Sequence, residues 1–183
     1  MKVMVVGSGS LGRGIAQVLI TNGSEVILKD TSEEKIEAGV MAIVRNLEEK
    51  VVKGTMKEVE KNIVLKRISA TTDIKNAAEC DLIIEAIDDN MKVKKDLFKQ
   101  LDHICSRDTI FATNTSNLSI TEMASSITRP EKLIGMRFFT PALTMNHIEV
   151  TDTEYTSERT HHTVLTLINQ IQKIPVTIKE VLK

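Results

Sequence analysis

Apolar and polar positions alternate along the chain in two periods. Val3 to Val6 form a short, mostly β-branched run, and Ile15, Val18 and Leu19 then recur at helical spacing until Asn22-Gly23 stops the helix. Glu25 to Leu28 reads as a second strand ending at Asp30, so this opening stretch predicts one βαβ unit. Thr31 with Glu34 offers a capping box, and Ile36, Val40, Val44, Leu47 and Val51 form one apolar stripe running to Gly54. That stripe lies in a helical excursion over residues 31–62, and a helix spanning roughly 30 Å projects beyond an ordinary crossover. Strands are predicted near Lys66 to Ser69, over Asp81 to Ala86 and over Thr109 to Thr113, with a helix carrying Val93, Leu97, Leu101 and Ile104 between the last two. Leu133 to Phe139, Asn146 to Val150 and Ile174 to Ile178 supply later strands, and Val164, Leu165, Ile168 and Ile171 mark a helix before the last. Continuous apolar runs such as Leu82 to Ile84 suit parallel strands covered on both faces. The predicted fold is α/β, a Rossmann-type doubly wound, mostly parallel sheet with a long helical excursion after its second strand.

Composition narrows the class. The 183 residues, 42% hydrophobic and 27% charged, predict one core built over residues 1–183 and leave out collagen-like, disordered and membrane-spanning classes. With 24 Lys and Arg against 25 Asp and Glu, the net charge of −1 gives no global field toward nucleic acid or an anionic membrane, and neither is an expected partner. Cys80 and Cys105 lie outside any C-x-x-C pattern and read as two buried thiols of a cytoplasmic protein. The run before the first glycine turn is too short for a signal peptide, and internal repeats are absent.

Four of the eight glycines are Gly7, Gly9, Gly12 and Gly14. Gly7-Ser8-Gly9-Ser10-Leu11-Gly12 fits G-x-G-x-x-G, a weak signal alone, but here it follows a strand, opens a helix and precedes an acid, Asp30, at the end of the second strand. Gly7 allows the tight turn, Gly9 the approach of a pyrophosphate to the backbone, and Gly12 close helix packing. Asp30 accepts hydrogen bonds from ribose hydroxyls and repels a 2′-phosphate, and Thr31-Ser32 offers no arginine to reverse this, so NAD is favoured over NADP. A glycine turn that binds no nucleotide is the alternative.

The whole chain resembles the NAD-binding domain of the 3-hydroxyacyl-CoA dehydrogenases, including the bacterial 3-hydroxybutyryl-CoA enzymes. Beyond the glycine motif, the resemblance rests on three further segments: Asp81 to Ala86 with Asn90, Lys92, Lys94 and Lys95; Ala112 to Ile120; and Gly135 to Pro141 leading to Glu149-Val150. It implies hydride transfer between NAD and a short-chain 3-hydroxyacyl-CoA or 3-oxoacyl-CoA, within fatty acid metabolism. It also implies that Gly7, Gly9, Ser10, Leu11, Gly12, Asp30, Ala86, Asp89, Lys94 and Asn114 hold NAD. Asp89 takes the place of an acid near the nicotinamide ribose, with Lys94 close to the same part of the cofactor. Ser116 matches a serine that hydrogen-bonds the substrate oxygen, and Lys50 and Lys53 align with a segment that carries lysines for CoA. Taken alone, Asp89 and Lys94 read as solvated charges at a helix start, Ser116 as a turn residue, and Lys50 and Lys53 as solvated helix charges.

The sequence also departs from the family pattern. Arg137-Phe138-Phe139-Thr140-Pro141 stands where the family normally has His-Phe-Phe-Asn-Pro, its histidine being the general base and oriented by the carboxylate that corresponds to Glu149. A guanidinium stays protonated and has no acceptor lone pair, so Arg137 cannot take a hydroxyl proton. Thr140 replaces an asparagine that helps hold the site. An ion pair between Arg137 and Glu149 is therefore expected in place of the histidine–carboxylate dyad. His147, two residues before Glu149 on the same strand face, is a conceivable relocated base, although a histidine without a catalytic part is the simpler reading. His103, His161 and His162 read as surface residues, and no metal is implied. Family enzymes continue into a helical C-terminal domain for substrate and dimer contacts. Here Pro175 to Glu180 arrives and the chain stops at Lys183, so that domain is expected to be missing. Two alternatives accompany the dehydrogenase reading: a catalytically silent NAD-binding module paired with a separate C-terminal-domain chain or a second copy, and a dehydrogenase of another 3-hydroxy acid.

Overall fold

The computed structural model describes residues 1–180; residues 181–183, where the sequence reading ends the chain, lie outside them. β1 (Lys2–Val6), α1 (Ser10–Thr21) and β2 (Glu25–Lys29) form the expected opening unit. Asn22 closes α1 with its side-chain amide donating to the Val18 carbonyl, and Gly23 turns the chain at φ +96°.

The helical excursion is two helices, α2 (Glu33–Val52) and α3 (Glu58–Leu65), rather than one stretch over 31–62. Ser32, not Thr31, caps α2 by accepting from the Lys35 N–H, because the Thr31 N–H and hydroxyl are already given to Asp30. The buried seam of α2 is Ile36, Gly39, Ile43 and Leu47, with Val40, Val44 and Val51 only half-buried. Gly39 allows this close fit, since a Cβ there would meet Ser8 at 3.0 Å.

β3 (Ile68–Thr71), a 3₁₀ turn at Ile74–Glu79, β4 (Leu82–Glu85), α4 (Met91–Ile104) and β5 (Ile110–Thr113) follow. The short α5 (Ile120–Ala124), which the sequence pattern did not announce, precedes β6 (Leu133–Phe138), β7 (His147–Asp152), α6 (Glu158–Gln170) and β8 (Ile174–Lys179). The eight strands form one sheet in the order β3-β2-β1-β4-β5-β6-β7-β8, in which β6 and β7 are antiparallel and every other neighbouring pair is parallel.

Successive residues of β1 feed opposite cores. Val3 and Val5 pack with Ile15, Leu19, Ile43 and Leu47, whereas Met4 and Val6 pack with Phe98, Leu101 and Phe111. The strand order reverses between β1 and β4, which opens a crevice beyond the ends of those strands. Gly7, Asp30, Ala86, Asn114 and Phe139 all follow directly from strand ends on this one side of the sheet.

Candidate functional site

The turn after β1 accepts only glycine at two points. Gly7 has φ +108°, and a Cβ on Gly12 would lie 1.8 Å from the Gly7 carbonyl oxygen. Gly9 differs: a Cβ there would meet nothing within 4 Å, so its missing side chain leaves open space rather than relieving a protein contact. Gly9 also occupies the N-cap of α1 without a side-chain cap, and the first turn carries no acid. The N–H groups at this helix end are thereby presented to an anion approaching over Gly9.

Asp30 closes the other side. Its Oδ2 accepts from the Ser8 N–H at 2.7 Å and the Ser8 hydroxyl at 2.8 Å, and its Oδ1 from the Thr31 N–H at 2.7 Å. Burial alone would raise its pKa, but the hydrogen bonds from Ser8 and Thr31 outweigh this and hold the carboxyl below its ordinary value. Lys35 brings an ammonium to 3.8 Å of it. A cavity of about 650 Å³ runs between these parts, lined by Gly7, Ser8, Gly9, Asp30 and Ala86 together with Arg13, Lys35, Ile87, Asp88, Asn90 and Val93. Beside Asp30 it adjoins a smaller slot of about 260 Å³ with Ile87, Val93 and Leu97 in its wall. Backbone donors over Gly9, a fixed acceptor pair at Asp30 and an apolar slot next to it together match the pyrophosphate, ribose and base of a dinucleotide.

Of the predicted cofactor residues, Gly7, Gly9, Asp30 and Ala86 line the cavity, whereas Ser10, Leu11 and Gly12, in the first turn of α1, do not; Ser10 is exposed and Leu11 packs toward the core. Sequence reasoning missed Ser8, Arg13 and Lys35. Ser8 is a variable position of the motif, and the two cations reach the cavity only through the packing of α1 and α2 around the turn.

At the far end of the crevice, Lys94 corrects its reading as a solvated charge. Its side chain is 1% exposed, with the ammonium 2.5 Å from Glu85 Oε1 and 3.3 Å from Asp89 Oδ1. Asp89 is exposed, and neither it, Lys94 nor Asn114 is in the cavity lining. Asn114 instead joins two strand ends: its Oδ1 accepts from the Phe138 N–H at 2.6 Å and its own N–H donates to the Glu85 carbonyl.

Arg137 and Glu149 are register partners across β6 and β7, and Nη1 lies 3.8 Å from Oε1, so the expected ion pair is present. The Arg137 guanidinium also sits 4.8 Å from the centre of the Phe139 ring. Both ionic side chains are partly solvated, at 35% and 26% exposure, which limits such a pair to about 1 kcal/mol. His147, Phe139, Met145, Glu149 and Val176 line a pocket of about 290 Å³ beside them. Ser116 and Thr140 are both exposed, in the loops that follow β5 and β6.

Lys50 and Lys53 lie at the end of α2 and line none of these three cavities. Lys53 pairs with Glu49 at 3.5 Å, and the Lys50 carbonyl accepts from Thr55. His161 is not a plain surface histidine: half-buried, its Nδ1 lies 2.8 Å from Asp152 Oδ1. Cys80 and Cys105 are free and buried, and burial pushes both thiols up to about 11. Among the described residues there is no cluster of metal-ligating side chains and no helix long and apolar enough to cross a membrane.

Comparison with known proteins gives a consistent picture. Residues 2–181 match the family model described as 3-hydroxyacyl-CoA dehydrogenase, NAD binding domain. A 3-hydroxybutyryl-CoA dehydrogenase of Clostridioides difficile is 44% identical over 180 residues, covering 98% of this chain and 64% of that protein. The human mitochondrial hydroxyacyl-coenzyme A dehydrogenase is 36% identical, with 97% of this chain and 59% of that protein covered. Among solved structures, the (S)-3-hydroxybutyryl-CoA dehydrogenase of Ralstonia eutropha superposes with a TM-score of 0.95 at 34% identity, over 98% of this chain and 64% of that one. The chain spans less than two-thirds of the length of these relatives.

Proposed function

The chain belongs to the 3-hydroxyacyl-CoA dehydrogenase family through its NAD-binding domain, and we propose that it supplies the NAD-binding half of an oxidoreductase for short-chain 3-hydroxyacyl-CoA, slowed at proton transfer by Arg137. The observation that carries this reading is the crevice itself: open space over Gly9, uncapped N–H groups at α1, and an Asp30 carboxylate whose lone pairs are fixed by Ser8 and Thr31.

When bound there, NAD supplies the group that accepts the hydride. Asp30 takes the adenosine ribose hydroxyls, the slot of Ile87, Val93 and Leu97 takes the adenine, and Asp89, Lys94 and Asn114 bound the nicotinamide end. Lys50 and Lys53 are assigned to CoA phosphates. Oxidation of the 3-hydroxyl releases a hydride from carbon and a proton from oxygen. Ser116 orients that oxygen, while Arg137, at the position assigned to the proton acceptor, has no lone pair to receive it.

The Arg137–Glu149 pair favours a second reading, a silent NAD-binding module, since a permanently charged Arg137 beside Glu149 is compatible with ligand binding without turnover. In both readings residues 1–183 act as one NAD-binding domain, a separate chain or a second copy is its partner, and the protein works in the cytoplasm. A substrate panel tests the acyl-CoA assignment. NADH consumption with acetoacetyl-CoA and none with free acetoacetate is expected; preference for the free acid overturns it in favour of another 3-hydroxy acid dehydrogenase.

A further inference from the structure

Glu85 ends β4 with its side chain 0% exposed, and every donor around it is spoken for. Oε1 accepts from the Lys94 ammonium at 2.5 Å and from the Ile87 N–H at 2.8 Å, and Oε2 accepts from the Thr113 hydroxyl at 2.6 Å. Lys94 donates to Glu85 and to the Ile87 carbonyl at 3.2 Å, and its ammonium forms an ion pair with Asp89, whose Oδ1 lies 3.3 Å away. Stability alone does not account for this arrangement. A buried ion pair replaced by apolar groups of similar size is often as stable or more so, whereas losing one partner leaves a costly orphan charge.

From these contacts we propose that Glu85 is a positioning residue for the nicotinamide end of the cofactor, acting through Asp89; the proposal rests on the NAD reading above. The charge balance carries it. Glu85 neutralises Lys94, so the one-third-exposed Asp89 carboxylate keeps its capacity to accept from a ligand. With Glu85 uncharged, Asp89 becomes the only anion on Lys94 and is drawn inward. Glu85 also accepts from the Ile87 N–H and Lys94 donates to the Ile87 carbonyl; a neutral amide oxygen at position 85 keeps these contacts, so the slot wall at Ile87 stays in place when only the charge is removed. Through Thr113, Glu85 also fixes the end of β5, one residue before Asn114, whose side chain holds the Phe138 N–H next to Arg137.

The test is calorimetric titration of the full chain with NAD and with AMP, which samples only the adenosine half. Glu85→Gln keeps the shape and an acceptor for Lys94 but removes the charge. NAD is expected to weaken roughly tenfold while AMP changes less than about twofold. Asp89→Asn is expected to weaken NAD by a similar factor, and the double variant no more than about twice as much as either single one, because both act on one contact. Thr113→Val, which removes one donor to Glu85 and leaves the charge, is expected to lower the NAD-to-AMP affinity ratio by about threefold, and keeps the question open to measurement if Glu85→Gln does not fold. Parallel loss of NAD and AMP, unchanged NAD affinity, or multiplicative losses in the double variant each overturn the assignment. A native chain that binds neither nucleotide overturns the NAD reading itself and this inference with it.

Discussion

Arg137 and Glu149 stand directly opposite each other on β6 and β7, their charged ends 3.8 Å apart. On the proposed dehydrogenase reading, in which position 137 is assigned to the proton acceptor, the pair offers a group that only donates. The rest of the crevice keeps the features that NAD needs, so binding and turnover are expected to separate in this chain.

Asp30→Ala is expected to weaken NAD roughly 10- to 100-fold, because charge-assisted hydrogen bonds to the ribose are lost. NADP is expected to weaken much less, since the repulsion of its 2′-phosphate disappears in the same step. Calorimetric titration with both dinucleotides checks this.

Gly9→Ala and Gly12→Ala are expected to behave oppositely. The Gly12 methyl would lie 1.8 Å from the Gly7 carbonyl oxygen, so at least about 1–3 kcal/mol of stability is lost, visible as a fall in Tm. The Gly9 methyl meets no protein atom within 4 Å, so Tm holds while NAD affinity falls. Thermal unfolding measured alongside NAD titration separates the two.

Acid is expected to destabilise the fold through three carboxylates. Burial raises the pKa of Asp30, Asp102 and Glu180, but hydrogen bonds outweigh it in each and hold the groups below their ordinary values of 3.8, 3.8 and 4.5. Asp102 accepts from Thr128 and Arg129, and Glu180 from the Ile120 and Thr121 N–H groups at the start of α5. Because the folded pKa values are the lower ones, the unfolded chain takes up protons first as pH falls. The stabilisation is complete above the ordinary values and is lost as pH falls through the folded ones. Urea unfolding between about pH 6 and 3 should show this slope. Asp102→Asn should flatten it and cost about 3 kcal/mol at neutral pH, since Arg129 is buried against Asp102.

The parts of this protein that its sequence made legible are those written in local period and spacing. Buried strands such as the one carrying Leu82 to Ile84 read as continuous apolar runs, and the glycine turn with Asp30 follows from a strand, a helix start and a distance along the chain. What was not legible depends on partners far away in sequence. Lys94 looks like a helix-start charge until α4 packs and brings it under Glu85, and His161 looks solvated until α6 lies against β7 and meets Asp152. Ser32 rather than Thr31 caps α2 because Asp30 has already claimed Thr31, a competition that residue types alone do not decide. α5 is too short to show a period, and its first N–H groups are satisfied by Glu180, 60 residues from Ile120.

The most direct test of the central claim follows NADH absorbance with acetoacetyl-CoA for the native chain and for Arg137→His combined with Thr140→Asn, with NAD affinity measured in both. With NAD affinity unchanged, turnover is expected to rise by roughly 10²–10⁴ in the double variant, the usual contribution of a positioned acid–base group, which in this direction gives the proton to the new hydroxyl. A native chain that already turns over as fast as the double variant would contradict the assignment of Arg137 as the residue that limits this site.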